Sequence, residues 1–123
     1  VCKNQIKKGI NGVREAIEFI KKNYSIALMV DQRVTEGEKI NLFNKPAFTS
    51  TLPAQLALKY KLPIVPVYIE RTKSNFFEIE FFKEIDTTKF NNKIELTNKL
   101  NQVIEEMILR NPSQWIWTHN RWK

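Results

Sequence analysis

The sequence IALMVDQ at residues 26–32 places two polar side chains directly after a short apolar run. The five apolar residues follow one another without alternation, which is typical of a β-strand buried on both faces in a parallel sheet. In open α/β sheets, ligands bind beyond the carboxyl ends of the strands. Asp31 and Gln32 are therefore candidate ligand-binding residues, and the alternative is that Asp31 only caps a turn.

Three other segments have the spacing of amphipathic helices. Apolar residues at positions 13, 16, 17 and 20 recur at i, i+3, i+4 and i+7, which predicts a helix that ends near Asn23. A second helix is predicted over residues 49–61, where Pro53 fits the first turn. The most regular helical pattern covers residues 96–108 and ends at Asn111 and Pro112.

The remaining segments predict further strands and one long loop. Residues 62–71 form a second apolar run, in which Pro66 lacks a backbone donor and predicts an irregular point. Phe77, Ile79 and Phe81 alternate with glutamates, which predicts a half-buried antiparallel strand. Residues 32–48 are polar and are predicted to form a long loop. This order predicts an α/β domain whose mixed, mostly parallel sheet is flanked by helices.

The composition limits the classes of protein and of partner. A chain of 123 residues provides one domain, and its 42% apolar and 27% charged residues exclude wholesale disorder and fibrous structure. The single cysteine and single histidine cannot form an internal disulfide or a zinc set. The net charge of +7 favours phosphate-rich partners: nucleic acid, anionic lipid headgroups or phosphorylated sugars.

Two basic features have open interpretations at this point. The sequence QWIWTHNRWK at residues 114–123 could stack nucleic-acid bases, lie at a membrane surface or close the hydrophobic core. Arg71, at the end of the second apolar run, is either an anion or phosphate contact or a surface arginine paired with a carboxylate. His119 lacks partners at a spacing that indicates a catalytic triad.

Five stretches occur in an order and at separations that point to one known family. They are NGVR at 11–14, MVDQ at 29–32, NLFNKPAFT at 41–49, LPIVPV at 62–67 and the tail at 114–123. Over nearly its whole length the chain resembles the C-terminal half of the lipid A biosynthesis lauroyl/myristoyl acyltransferases, within the lysophospholipid acyltransferase superfamily. The resemblance implies a glycerolipid acyltransferase-like fold, with residues 1–123 as a single domain that is the C-terminal fragment of an acyltransferase domain.

The resemblance also implies an activity. The expected enzyme moves a fatty acyl group from an acyl-carrier protein to a hydroxyl of a phosphorylated glucosamine lipid in lipopolysaccharide biosynthesis, at the cytoplasmic face of the bacterial inner membrane and without a cofactor. The family uses a His-x4-Asp/Glu motif, whose histidine is the general base and whose acid orients it. The only histidine in this sequence is His119, and the fifth position after it lies beyond residue 123. We therefore expect a fragment that is inactive alone.

The motif match implies that the acyl-acceptor pocket contains Asp31, Gln32, Phe43, Asn44 and Thr49. Asp31 and Gln32 would hydrogen-bond to sugar hydroxyls, and Phe43 would border an acyl chain. Arg71 would contact a lipid A phosphate, and the basic surface would attract an anionic membrane at about 1 kcal/mol for each cation. The family usually carries Phe-Gly where this chain has Phe43-Asn44. The alternatives are a small basic RNA-binding module and an inactive structural relative; the acyltransferase hypothesis expects no nucleic-acid partner.

Overall fold

The computed structural model describes residues 3–7, 9–35 and 37–123. In chain order its helices and strands are α1 (Ile10–Lys21), β1 (Glu38–Leu42), β2 (Lys45–Thr49), α2 (Leu52–Tyr60), β3 (Val67–Arg71), β4 (Phe77–Phe81) and α3 (Lys93–Arg110). Short 3-10 helices cover Thr87–Lys89, Pro112–Gln114 and Trp117–His119. The mixture of helices and strands is compatible with the predicted α/β class.

The three predicted helices are confirmed. Helix α1 buries Gly12, Ala16 and Ile20 on one side, and the chain leaves it through Asn23, which has a positive φ of 62°. Helix α3 begins after Asn92, whose side-chain oxygen accepts hydrogen bonds from the next turn, at the backbone N–H groups of residues 94 and 95. It ends before Pro112 as predicted.

The sheets differ from the prediction of a mostly parallel arrangement. Within the described ranges, β1 pairs with β2 and β3 pairs with β4, and both pairs are antiparallel. The first pair occupies most of the second half of residues 32–48 and ends at Thr49, so the prediction of a long loop there is wrong. The β3–β4 pair confirms the antiparallel strand predicted at Phe77–Phe81. Pro66 lies just before β3, as expected for a residue that lacks a backbone donor.

The strand predicted at residues 26–30 is absent from the described structure. This segment is extended but has no strand assignment, and the side chain of Met29 is 76% exposed. A strand needs a neighbour that completes its backbone hydrogen bonds, and none of the four strands named above pairs with this segment. Val30, at the end of the segment, packs against the core.

Helix α3 connects two clusters of buried side chains. One cluster joins the helix to the β1–β2 hairpin through Leu42, Ala47, Ile104 and Ile108. The other joins it to α2 through Ala54, Ala57 and Leu96. The hairpin and α2 therefore pack along the same helix, and this arrangement places the β1–β2 turn beside the second half of α3.

One face of the β3–β4 hairpin is apolar and open to solvent. Alternate residues of the two strands share this face, and Ile69 is 56% and Phe81 72% exposed. The opposite face carries polar side chains, among them Glu80, which pairs with Arg110 of α3 at 2.7 Å. The prediction that Phe77–Phe81 is half-buried is therefore wrong for the apolar side. No helix among the described residues is long and apolar enough to cross a membrane.

Candidate functional site

The β1–β2 hairpin closes with the two residues that the motif match placed in the acceptor pocket. Leu42 pairs with Lys45, so the loop consists of Phe43 and Asn44 alone. Their φ angles are 52° and 58°, which is the type I′ geometry that two-residue hairpins favour. Asparagine tolerates this left-handed backbone better than most residues. Asn44 therefore retains a turn that glycine would form without strain.

Phe43 has no such tolerance, and two contacts hold it in place. Its backbone N–H donates a hydrogen bond to Oε1 of Glu105 on α3 at 2.6 Å. Its ring stacks on Trp117, with 6.4 Å between the ring centroids. A phenylalanine in the left-handed region costs about 1–2 kcal/mol, so these contacts offset a strained backbone. The turn is thereby held against α3 and the C-terminal tail.

The three tryptophans of the tail form one cluster beside this turn. Trp115 lies 4.6 Å from Trp117 and 6.1 Å from Trp122, measured between ring centroids. Trp115 and Trp122 pack against the core around Leu42, and the indole N–H of Trp122 donates to the Leu42 carbonyl at 3.2 Å. Two of the three rings thus close the core. Trp117 is 48% exposed and leaves one aromatic surface beside Phe43.

Arg121 lies at the centre of the polar part of the site. Its residue is completely buried. One Nη donates to the backbone carbonyl of Asp31 at 2.9 Å and, over a longer distance of 3.4 Å, to the backbone carbonyl of Val30. The other Nη donates to the Thr49 hydroxyl at 2.8 Å. Its own carbonyl accepts from the Phe48 N–H at 2.9 Å. A single guanidinium therefore joins the end of the 26–30 segment to β2.

The electrostatic setting of Arg121 follows from its burial. Loss of water lowers the pKa of its guanidinium from the ordinary value, and the Asp31 carboxylate acts in the opposite direction because it favours the charged form. An arginine keeps its charge under such conditions. The site thus contains a permanent buried positive charge next to the carboxylate of Asp31.

Thr49 is the second junction of this network. Its hydroxyl donates to the Ala47 carbonyl at 3.1 Å and accepts from Arg121. The Asn101 amide nitrogen on α3 lies 3.4 Å from the same hydroxyl and donates to the Asn41 carbonyl at 2.8 Å. Two buried polar atoms have no hydrogen-bond partner among the described residues, namely Oδ1 of Asn101 and Nε of Arg121. The network is therefore polar, buried and incompletely paired.

Gly37 allows the preceding loop to lie directly on Thr49. A Cβ at Gly37 would lie 2.7 Å from the backbone nitrogen of Thr49 and 2.9 Å from its backbone oxygen. Real side chains do not approach this closely, so only glycine fits at this position. The loop after Gln32 consequently returns across β2 and keeps Thr49 out of solvent.

The structure brings some of the predicted site residues together. Asp31 and Gln32 are half-buried, and Arg121 connects the Asp31 backbone to Thr49. Phe43 and Asn44 lie at the other end of the β1–β2 hairpin, beside the tryptophan cluster. The shared acceptor pocket stays a prediction.

Arg71 makes its contacts elsewhere. It is exposed at the end of β3, and its guanidinium carbon lies 5.1 Å from the centroid of the Phe77 ring. Its backbone N–H donates to Gln114 Oε1 at 2.9 Å, and its carbonyl accepts from Gln114 Nε2 at 2.7 Å. Two surface cavities lie between the β3–β4 hairpin and α3, and neither is lined by Arg71 or by the other predicted site residues.

Sequence reasoning missed three residues on which the site depends. Arg121 was interpreted only as part of a basic tail, and Glu105 and Asn101 were not singled out. No spacing rule identifies a buried arginine. The one available signal was the position of Asn101 on the same side of α3 as the apolar residues Leu100 and Ile104, since a polar residue on a buried face needs a partner.

Comparison with known protein families identifies the chain at this point. The sequence model described as bacterial lipid A biosynthesis acyltransferase matches residues 3–123.

The chain belongs to the bacterial lipid A biosynthesis acyltransferase family.

The match covers every stretch that carried the resemblance, from the residues before α1 to the aromatic tail. A search among curated proteins gives no match to this acyltransferase-family chain. Membership confirms the family that the motifs indicated. It also makes the polar network around Arg121 part of an acyltransferase-family fold.

Proposed function

We propose that this chain forms the acyl-acceptor-binding part of an enzyme that acylates a phosphorylated glucosamine lipid in lipid A biosynthesis. The observation that carries the proposal is the family match over residues 3–123. The acyl donor in this proposal is an acyl-carrier protein, and the acceptor is a hydroxyl of the glycolipid. Both assignments go beyond the family match and need the experiment described below.

The proposed reaction is transfer from a thioester to an alcohol. The acceptor oxygen forms an ester bond with the acyl carbonyl, the carbon–sulfur bond breaks, and the proton of the hydroxyl passes to the thiol that leaves. A general base removes that proton as the oxygen attacks. In this proposal the His-x4-Asp/Glu pair of the family belongs to polypeptide outside these 123 residues, and the role of this chain is to hold the acceptor.

The chemistry of Asp31 and Gln32 supports acceptor binding. The Asp31 carboxylate and the Gln32 amide offer the acceptor and donor groups that sugar hydroxyls require, and both residues are half-buried. Phe43 and the exposed side of Trp117 form an apolar surface suited to an acyl chain. The exposed guanidinium of Arg71 has the geometry for a phosphate, although it lies apart from the Arg121 network.

We further propose that the two hairpins belong to a larger, mostly parallel sheet in the complete acyltransferase domain. The extended apolar segment 26–30 lacks a strand partner within the described ranges, and the β3–β4 hairpin exposes Ile69, Ile79 and Phe81. Soluble proteins rarely leave such a contiguous apolar face open. Additional strands beside these segments would cover them and would give the 26–30 segment the partner that it lacks.

The membrane assignment is part of the same proposal. A net charge of +7 attracts the chain to anionic lipid headgroups, and the proposed acceptor is itself a membrane lipid. We propose that the enzyme acts at the cytoplasmic face of the bacterial inner membrane. The RNA-binding alternative receives less support, because Trp115 and Trp122 pack against the core instead of offering free faces to bases.

The experiment that tests the function is acyl transfer by the full-length protein from an acyl-carrier protein to a phosphorylated glucosamine lipid. Asp31→Ala should lower the rate at least about tenfold, a loss that corresponds to about 1.4 kcal/mol of transition-state binding. Glu15→Ala, an exposed carboxylate on α1, is the matched control and should leave the rate unchanged. Full activity of Asp31→Ala, with normal folding, would show that the acceptor is bound elsewhere.

A further inference from the structure

We infer that Arg121 is a positioning residue that orients Asp31 and Gln32 toward the acceptor lipid. The inference deepens the proposed function and depends on its assignment of Asp31 and Gln32 to acceptor binding. Arg121 is completely buried and therefore cannot touch the substrate itself. Any effect on the reaction must pass through the groups that it holds.

Arg121 acts on the backbone at Asp31 and Gln32. The carbonyl that accepts from Arg121 at 2.9 Å belongs to the peptide group between Asp31 and Gln32. A peptide group is planar, so a hydrogen bond that fixes the direction of its carbonyl also fixes the plane that connects the two Cα atoms. One contact thereby restricts the backbone of both candidate residues. The Val30 carbonyl, at 3.4 Å, restricts the preceding peptide group more weakly.

Arg121 is itself anchored to β2 on its other side. Its other Nη donates to the Thr49 hydroxyl at 2.8 Å, and its backbone carbonyl accepts from the Phe48 N–H at 2.9 Å. Both partners belong to β2, which pairs with β1 in the hairpin against α3. The guanidinium thus ties a segment that lacks a strand partner among the described residues to the packed strand β2.

Arginine suits a positioning role at this site better than an apolar residue or a lysine. Burial of a cation is costly, and an apolar residue of similar volume closes a core at lower cost. The planar guanidinium has several donors in a rigid fork, which lysine lacks, and here the fork reaches two acceptors on separate segments. The Asp31 carboxylate faces this charge and favours it. An arginine is therefore well suited to hold the backbone at Asp31 and Gln32 in one orientation.

The test compares Arg121→Lys with Lys123→Gln in the full-length protein. Lys123 is an exposed cation two residues along the same tail and should change neither Michaelis constant. Arg121→Lys keeps the charge and loses the fork. We expect the KM for the phosphorylated glucosamine lipid to rise about tenfold, the ratio that corresponds to 1.4 kcal/mol, while the KM for the acyl-carrier protein donor stays within about twofold.

A purely structural role would produce a different result. Loss of folded enzyme lowers the apparent kcat and leaves both KM values unchanged, so that pattern overturns the inference. An equal rise of both KM values also overturns it. If the wild-type protein transfers no acyl group to the glycolipid, the proposed function fails and this inference fails with it; an active wild type with an unchanged acceptor KM in Arg121→Lys refutes only the inference.

A second measurement on the wild type covers the case in which Arg121→Lys does not fold. Titration of the phosphorylated glucosamine lipid into protein with nitrogen-15-labelled arginines should shift the Nη resonances of Arg121, because the carbonyl that they contact belongs to the acceptor-binding segment. The arginine is buried, so direct contact with lipid cannot cause the shift. Saturating lipid without any change in the Arg121 resonances would overturn the inference.

Discussion

Replacement of Thr49 by valine removes one hydroxyl from the centre of the buried network and keeps the shape of the side chain. That hydroxyl is 2.8 Å from one Nη of Arg121 and 3.1 Å from the Ala47 carbonyl, and Thr49 is buried. A hydrogen bond to a charged group contributes about 1.5–3 kcal/mol, and an unpaired buried donor incurs its desolvation cost. We expect Thr49→Val to lower the free energy of unfolding by about 2–3 kcal/mol.

The matched control is Thr49→Ser, which keeps the hydroxyl and removes a methyl group. Loss of one buried methyl group costs about 0.8 kcal/mol, so the serine variant should be the more stable of the two. The contact between the Asn101 amide and this hydroxyl is 3.4 Å long and adds little to the difference. The comparison therefore isolates the two hydrogen bonds of the hydroxyl, of which the one to the charged Arg121 is the shorter.

Urea unfolding followed by tryptophan fluorescence measures the difference. Trp115 and Trp122 pack against the same cluster as β2 and report its loss. With a denaturant dependence of about 2 kcal/mol per molar urea, the valine variant should unfold at a midpoint about 1–1.5 M lower than the wild type. A valine variant as stable as the serine variant would refute the argument that the Thr49 hydroxyl satisfies the buried guanidinium.

Two further predictions concern the hairpin turn and the hydrophilic face of β3. Asn44→Ala should lower the free energy of unfolding by about 1 kcal/mol, since φ at this position is 58°, whereas Asn44→Gly should not; thermal unfolding of the two variants that shows equal stability would contradict the strained turn. Burial raises the pKa of the Tyr68 phenol above 10.0; the Glu70 carboxylate also raises it, and the Arg110 cation lowers it. In a pH titration followed by tyrosinate absorbance, Tyr68→Phe should therefore remove the absorbance change that occurs at the highest pH. Because the folded state holds this proton more tightly, the stability contributed by Tyr68 is complete below pH 10 and falls as the pH rises through the raised pKa; a titration whose high-pH end is unchanged in Tyr68→Phe would argue against its burial.

Local periodicity was sufficient for the helices. Helices α1 and α3 satisfy their backbone hydrogen bonds within themselves, so an apolar stripe at helical spacing specifies both the element and its buried side. Asn92 before α3 and Pro112 after it also act locally. The predictions for these elements therefore needed no knowledge of distant residues.

The strands depended on partners that the sequence does not specify. The 26–30 segment has strand composition, but a strand forms only where another segment accepts its hydrogen bonds. The β1–β2 hairpin was missed for the opposite reason. Its turn, Phe43-Asn44, lacks the Asn-Gly or Asp-Gly signal of a type I′ turn, and Pro46 within β2 argues against a strand.

The candidate site was predictable only in part. The pattern of an apolar run before polar residues placed Asp31 and Gln32 after a strand, whereas the structure has them after an extended segment without strand assignment. Arg121 could not be found in this way, because its burial results from the packing of a tail against residues about 70 to 90 positions earlier. Sequence patterns describe neighbours along the chain, whereas this network joins four separate segments: the end of the 26–30 segment, the β1–β2 hairpin, α3 and the tail.

The pairing of Gln114 with Arg71 restricts how another strand can join the outer edge of β3. Thr72 and Pro66 hydrogen-bond toward β4, so by alternation the backbone groups of Val67, Ile69 and Arg71 point away from it. The carboxamide of Gln114 already hydrogen-bonds to the backbone N–H and carbonyl of Arg71. These two backbone groups cannot pair with another strand at the same time. An incoming strand can form a ladder with Val67 and Ile69 but must end or diverge before Arg71, which specifies the register of any sheet built onto this edge.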